Sequence, residues 1–216
     1  VIQTLLNTRQ YRYTEAKHYI YPLNTMTLSD FSREAWANVH TEYRDMVGDA
    51  MAREWRDAFS TTVYTDTSNR NDIASVHVTH DEENLYVRVE TAQPITEYNG
   101  TDVNWMNLFL QTEDGTENSF AGFQYVVNRS PDGKGGTTIE RSKGGYQWES
   151  AGTAQYAVSE NVILYSIPLS ALGVSAGEVV GIKATDNLQA FGDADDFYIS
   201  GDCAPLGRLN YAYKIA

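Results

Sequence analysis

The residues from Ile73 to Thr91 read IASVHVTHDEENLYVRVET. In the second half Leu85, Val87 and Val89 alternate with Tyr86, Arg88 and Glu90. Side chains alternate across a pleated strand, so the first set shares one face and the second set the other. The first half is rich in β-branched residues, and DEEN between the halves supplies the short polar turn of a hairpin. Downstream, WMNLFLQ, FAGFQYVVNR, TTIERSK, YQWESAGT, QYAVS, NVILYSIPL, VVGIKATDN, DFYIS and RLNYAYKIA follow at short intervals, broken by Gly, Asn, Asp and Pro. Many short strands with turn chemistry between them predict an all-β protein, an antiparallel β-sandwich of jelly-roll or immunoglobulin-like form. No period of tens of residues repeats, which excludes a solenoid or propeller.

Upstream of the hairpin the pattern is less regular. Residues 1–28 have mixed polarity and contain Pro22, and they read as an irregular or short-helical lead-in or linker to a sandwich domain over residues 29–216. From Ser29 to Ala58, Trp36, Val39, Tyr43, Met46 and Val47 fall at roughly helical spacing behind a Ser29 or Asp30 cap. Gly48-Asp49 interrupts that pattern, so two short elements or an irregular wrap are the alternative to a helix. Trp36 and Trp55 read as core or wrap residues.

The chain has 216 residues, enough for a core without disulfide staples, and 16 basic against 29 acidic residues give a net charge of −13 beside 15 Tyr and 4 Trp. Such a field repels a phosphate backbone or an anionic leaflet, so neither nucleic acid nor a membrane surface is an expected partner. The single Cys203 excludes an internal disulfide and any CxxC motif. No G-x-S-x-G elbow, Gly-rich phosphate loop or H-E-x-x-H sequence occurs, and the expectation is a non-catalytic protein. The chain lacks an initiator Met and a signal sequence, which suggests a mature or excised piece of a longer protein.

Several strands set an apolar face against a mixed one. Met106, Leu108 and Leu110 oppose Trp105, Asn107, Phe109 and Gln111; Gln124, Val126 and Asn128 fall together; Ile182 and Ala184 oppose Lys183 and Thr185. A face of aromatics, amides and charges suits a sugar, whose C–H bonds pack on flat rings while its hydroxyls need directed polar partners. The alternative is a face that is polar because water covers it. Oxygen-rich loops offer calcium ligands: Asp66 and Asp72 in TDTSNRND, Asp81 in DEEN, and Asp193 and Asp195 in FGDADDF. Solvated turns are the competing explanation. His77 and His80 lie on opposite faces of one strand, which disfavours joint metal ligation.

In order, YTDTSNRNDIASVHVTHDEENLYVRVETAQPIT, NWMNLFLQ, GFQYVVNR, IPLSALG (Ile167 to Gly173) and DNLQAFGDADDFYISGDCAPLGRLNYAYK resemble the DOMON-like sandwich domains similar to carbohydrate-binding module family 9. The resemblance covers roughly residues 30 to 216. It implies an opening strand and wrap from Trp36 to Tyr43 in place of a helix. It also implies a non-catalytic, secreted or cell-surface module appended to a polysaccharide-degrading enzyme, binding poly- or oligosaccharide and carrying structural calcium. The stacking candidates are Trp105 and Trp148, with Tyr98 and Tyr146 nearby and Arg88, Glu90, Asn107, Gln124 and Asn128 as hydrogen-bonding partners. One alternative is a structural or protein-contact domain, suggested by the aromatic-rich lead-in. Another is a haem module, since some DOMON relatives ligate haem with Met and His. No pair among Met26, Met46, Met51 and Met106 with His18, His40, His77 and His80 is marked out by spacing.

Overall fold

A computed structural model of the chain describes residues 23–112, 117–189 and 192–216. Its strands are β1 (Glu42–Arg44), β2 (Arg53–Arg56), β3 (Val63–Asp66), β4 (Ile73–His80), β5 (Asn84–Thr91), β6 (Asn107–Gln111) and β7 (Tyr125–Val127). They continue as β8 (Gly136–Ser142), β9 (Trp148–Ser159), β10 (Val162–Pro168), β11 (Val179–Asp186), β12 (Asp202–Ala204) and β13 (Tyr211–Lys214). Single helical turns α1 (Leu169–Leu172) and α2 (Asp196–Ile199) complete the described elements.

The main sheet runs β1-β4-β5-β10-β9-β8-β7-β6-β11-β12, with β13 also paired to β11, and its ladders are antiparallel. The sheet curls back on itself. Tyr43 of β1 stacks on Tyr211 of β13 with ring centroids 4.4 Å apart, and its hydroxyl donates to the Ala212 carbonyl at 2.7 Å. Asp202 of β12 accepts the Ile73 N–H of β4 at 2.6 Å. The product is an all-β sandwich close to a barrel. Hairpin β2–β3 stands apart from this sheet.

The alternation read from the sequence sets the inside. Leu85, Val87, Val89, Leu108, Leu110, Ile182 and Ala184 all belong to one enclosed core. The opposite faces are covered too. Tyr86, Val162 and Leu164 pack against Met26, Trp36 and Val39 of the N-terminal wrap. Phe109 and Val126 pack against Phe120, Phe123, Leu188, Phe197 and Cys203. Every residue of β6 is consequently buried.

The helix expected over residues 29–58 does not form. Isolated turns close through Trp36 N–H to Arg33 carbonyl and Val39 N–H to Trp36 carbonyl, and the chain then extends into β1 and β2. Tertiary pairing overrides the helical spacing: Tyr43 must reach the enclosed core while Trp36 and Val39 cover the outer face of β5 and β10. DFYIS, read as a strand, is the turn α2 with a buried Phe197. YQWESAGT and QYAVS merge into β9, whose Gly152 at φ 155° lies where the register with β8 shifts. Of the lead-in, residues 1–22 lie outside the described residues; from residue 23 the chain is irregular, and Asn24 N–H reaches the His80 carbonyl at 2.8 Å. Among the described residues, no helix is long and apolar enough to cross a membrane.

Candidate functional site

The expected sugar-facing residues are mostly interior. Trp105 is 3% exposed, donates its indole N–H to the Thr96 carbonyl at 2.7 Å and sits in the enclosed core. The cause is local: Met106 adopts φ 44°, β6 starts at Asn107, and the alternation does not extend back to Trp105. Asn107 donates to the Asn128 carbonyl, and Asn128, itself at φ 77°, donates to the carbonyls of Trp105 and Met106, all at 3.0 Å. Gln124 accepts the Thr112 N–H at 3.0 Å. Buried Arg88 donates to the Phe31 carbonyl and to Glu90, which also pairs with Arg33 at 3.1 Å. These groups fasten backbone and wrap instead of facing solvent, which corrects the expectation for Trp105, Asn107, Gln124, Asn128 and Arg88.

Tyr146 and Trp148 lie together at the edge of the second aromatic cluster, partly buried against Phe120 and Phe109. Tyr98 is partly exposed over a shallow cleft of about 430 Å³ that the Trp105 and Tyr156 rings also line. Asn128 yields a direct test. Asn128→Ala leaves the buried Trp105 carbonyl without its donor, leaves that of Met106 only the Tyr165 hydroxyl and strains a positive-φ site, and urea unfolding is expected to register a loss of about 2–3 kcal/mol.

The calcium candidates separate in the same way. Asp66 accepts from Ser68 and Asn187, and Asp81 accepts the N–H groups of Glu83 and Asn84 plus the Tyr86 hydroxyl. Asp193 accepts the Asp195 N–H, and Asp195 pairs with Arg208 at 2.6 Å. Those carboxylates close turns or pair locally. Asp72 alone of the five converges with other carboxylates, those of Asp49 and Asp202. Of the haem donors considered, Met26 and Met106 are core, His80 bonds the Tyr213 hydroxyl at 2.6 Å, and burial pushes His77 down to about 4. His40 is exposed and His18 lies outside the described residues.

A different surface gathers aromatic and polar groups. A cleft of about 620 Å³ lies between hairpin β2–β3, the β1–β2 connection and the segment around α2, with Met46, Met51, Trp55, Tyr64, Tyr198 and Leu206 among its lining. Trp55 is 55% exposed and stacks on its cross-strand partner Tyr64 with centroids 4.4 Å apart and planes 23° from parallel. The hairpin is held in place by Arg53, which donates to the carbonyls of Asp49, Met51, Ile199 and Gly201. Gly207 keeps the wall close: at φ 67° it lies against the Tyr198 ring, where a Cβ would collide.

The base of the cleft is acidic, with Asp202 buried and Asp45 and Asp49 half-buried. Asp45, Asp49 and Asp202 line it beside Phe197 and Cys203, and fully buried Lys183 donates to the Pro205 carbonyl behind them. Burial, then the charge of Asp49, pushes Asp45 up to about 7. Asp49 and Asp202 are raised mainly by burial, and Lys183 is lowered to about 8 by the same cause.

Trp55 was within reach of sequence reasoning. In REWR (Arg53–Arg56) it is the sole apolar side chain, so that strand has no core face to bury. Comparison with protein-family models, with curated proteins and with solved structures finds no match for the chain.

Proposed function

We propose that this chain is a non-catalytic carbohydrate-binding module whose sugar platform is Trp55 on Tyr64. The supporting observation is an indole 55% exposed and buttressed from behind by a second ring, at the mouth of an open cleft with carboxylates at its base. A flat ring held by its partner takes the C–H face of a pyranose at little entropic cost, and Asp45 and Asp49 supply acceptors for hydroxyls. The acidic base disfavours polyanions, so a neutral poly- or oligosaccharide is the fitting ligand. The module is read as one part of a secreted or cell-surface enzyme that degrades polysaccharide.

Affinity is expected at roughly 4 to 7 kcal/mol, about millimolar to ten micromolar. In affinity gels cast with a panel of soluble polysaccharides, at least one glycan retards the protein, and Trp55→Ala weakens that binding about tenfold or more, about 1.4 kcal/mol. If no glycan retards the parent, or Trp55→Ala migrates like it on every gel, the reading fails.

A second reading is favoured by the apolar rim. Met46, Val47, Met51, Phe59 and Leu206 are all more than half exposed in this region, and methionine-rich surfaces adapt to protein partners. A protein-contact domain would bind a neighbouring domain through this rim with no response to sugar.

A further inference from the structure

Nine large hydrophobic side chains are exposed among the described residues, and all but Leu23 and Val158 belong to the Trp55 cleft, its rim or hairpin β2–β3. Single exposed hydrophobics need no explanation, whereas a gathered patch rimmed by polar groups marks a surface that another molecule covers. Phe59 is the extreme case. It is 99% exposed at the tip of the hairpin. The tip is nonetheless closed on itself: Asp57 accepts the Phe59 N–H at 3.0 Å and the Ser60 hydroxyl at 2.8 Å, the Asp57 N–H donates to the Thr62 carbonyl at 2.9 Å, and Ser60 Oγ accepts the Thr62 N–H at 3.1 Å. A loop bonded in this way holds the ring out in advance and loses little further freedom on binding.

Two further features say what fits there. Arg56 follows Trp55 along β2, so it lies on the face of the hairpin turned away from the cleft; it is exposed, and its guanidinium makes no ion pair or hydrogen bond among the described residues. The hairpin thus projects an aromatic ring and a free cation together. The cleft beside it offers the complement. Met51, Tyr198 and Leu206 line its volume of about 620 Å³ above the carboxylates of Asp45 and Asp49, and Asp45 Oδ2 and Asp49 Oδ1 have no hydrogen-bond partner among the described residues. Projection and recess stand side by side on one chain, as an isologous interface requires, since each copy there gives the other what it receives.

We propose that two copies of this chain pair about a two-fold axis by exchanging these hairpins, each Phe59 entering the other's cleft against Met51 and Leu206 and each Arg56 turning toward Asp45 and Asp49. The net charge of −13 on each copy opposes the contact, and Arg56 offsets part of that repulsion where the surfaces meet. The pair is accordingly weak, with a dissociation constant of about ten to a few hundred micromolar. It goes beyond the sugar reading and does not depend on it: a glycan lying on Trp55 displaces Phe59 and separates the copies.

Sedimentation velocity of the whole chain from about 5 to about 500 µM tests the pairing, with acrylamide quenching of tryptophan emission followed over the same range. The average mass of the parent is expected to climb from 24.2 kDa toward twice that, and quenching to fall with it, since Trp55 is the one exposed indole of the four. Phe59→Ser removes a ring that supports nothing in the fold, so it melts with the parent while its dissociation constant rises about tenfold or more. Arg56→Glu raises the constant about threefold or more beyond Lys134→Glu, which changes the net charge equally at the separate Tyr98 cleft. The proposal is overturned if the parent stays at 24.2 kDa at the highest concentration, whether or not a glycan then binds through Trp55. It is overturned equally if Phe59→Ser associates as the parent does, or if Arg56→Glu and Lys134→Glu associate alike.

Discussion

Replacing Arg70 with methionine is expected to cost about 3–5 kcal/mol, a large part of the stability usual for a single domain. Arg70 Nε donates to Asp186 at 2.8 Å, and the same guanidinium reaches Asp102 at 2.6 Å. Asp186 ends β11 with its side chain fully buried, and its other oxygen accepts the Met106 N–H at 2.9 Å. That bond holds the positive-φ residue at which the chain turns into β6. Methionine preserves the bulk of the arginine stem and removes only its charge and donors, leaving a buried carboxylate unpaired.

The loss depends on pH in a defined direction. Burial pushes Asp186 from 3.8 up to about 6, with Arg70 as the first opposing pull. The folded carboxyl therefore holds its proton more tightly than the unfolded one. Its contribution to stability is full below about 3.8 and is lost as pH rises through about 6. Without Arg70 the folded value climbs further, so the deficit relative to the parent widens from about pH 5 to about pH 8. Comparing variant with parent at each pH cancels the opposite slope from His77, which burial lowers to about 4. Urea melts at the two pH values check this. A deficit below about 1 kcal/mol at neutral pH, or one that shrinks as pH rises, would falsify the role assigned to the pair.

The enclosed core was legible from period-two alternation because its strands pair over several residues and one face of each is continuously apolar. The hairpin β4–β5 follows the reading over most of its length, with the Asp81 turn where expected, β5 starting one residue early at Asn84 and a register shift between Ile73 and Ser75. The second layer was not legible. Whether the polar and aromatic face of a strand meets water, sugar or more protein depends on distant segments. Here Trp36 and Phe120 arrive from elsewhere in the chain to cover Tyr86 and Phe109. The same distance hid the acidic cluster, since Asp49, Asp72 and Asp202 share no local spacing. Short strands such as β1, β2 and β12 carry too few residues for a period to emerge.

Phe109→Ala measures how much that second layer matters. Phe109 is fully buried on the outer side of β6, with the rings of Phe120, Phe123, Phe197 and Trp148 between 5.5 and 6.1 Å away. Truncation removes a ring that four others share, and an enclosed site of this kind relaxes little, so a loss of about 3–5 kcal/mol is expected, with Phe109→Leu costing under about 1.5 kcal/mol. The loss carries to the cleft, because Phe197 packs edge-on against Phe109 and lines the cleft base next to Tyr198. Trp148→Ala is expected to shift the urea midpoint in the same direction, since its ring is packed here and not held out as a platform. If Phe109→Ala unfolds within about 1 kcal/mol of the parent, the outer face of β6 is not a second core.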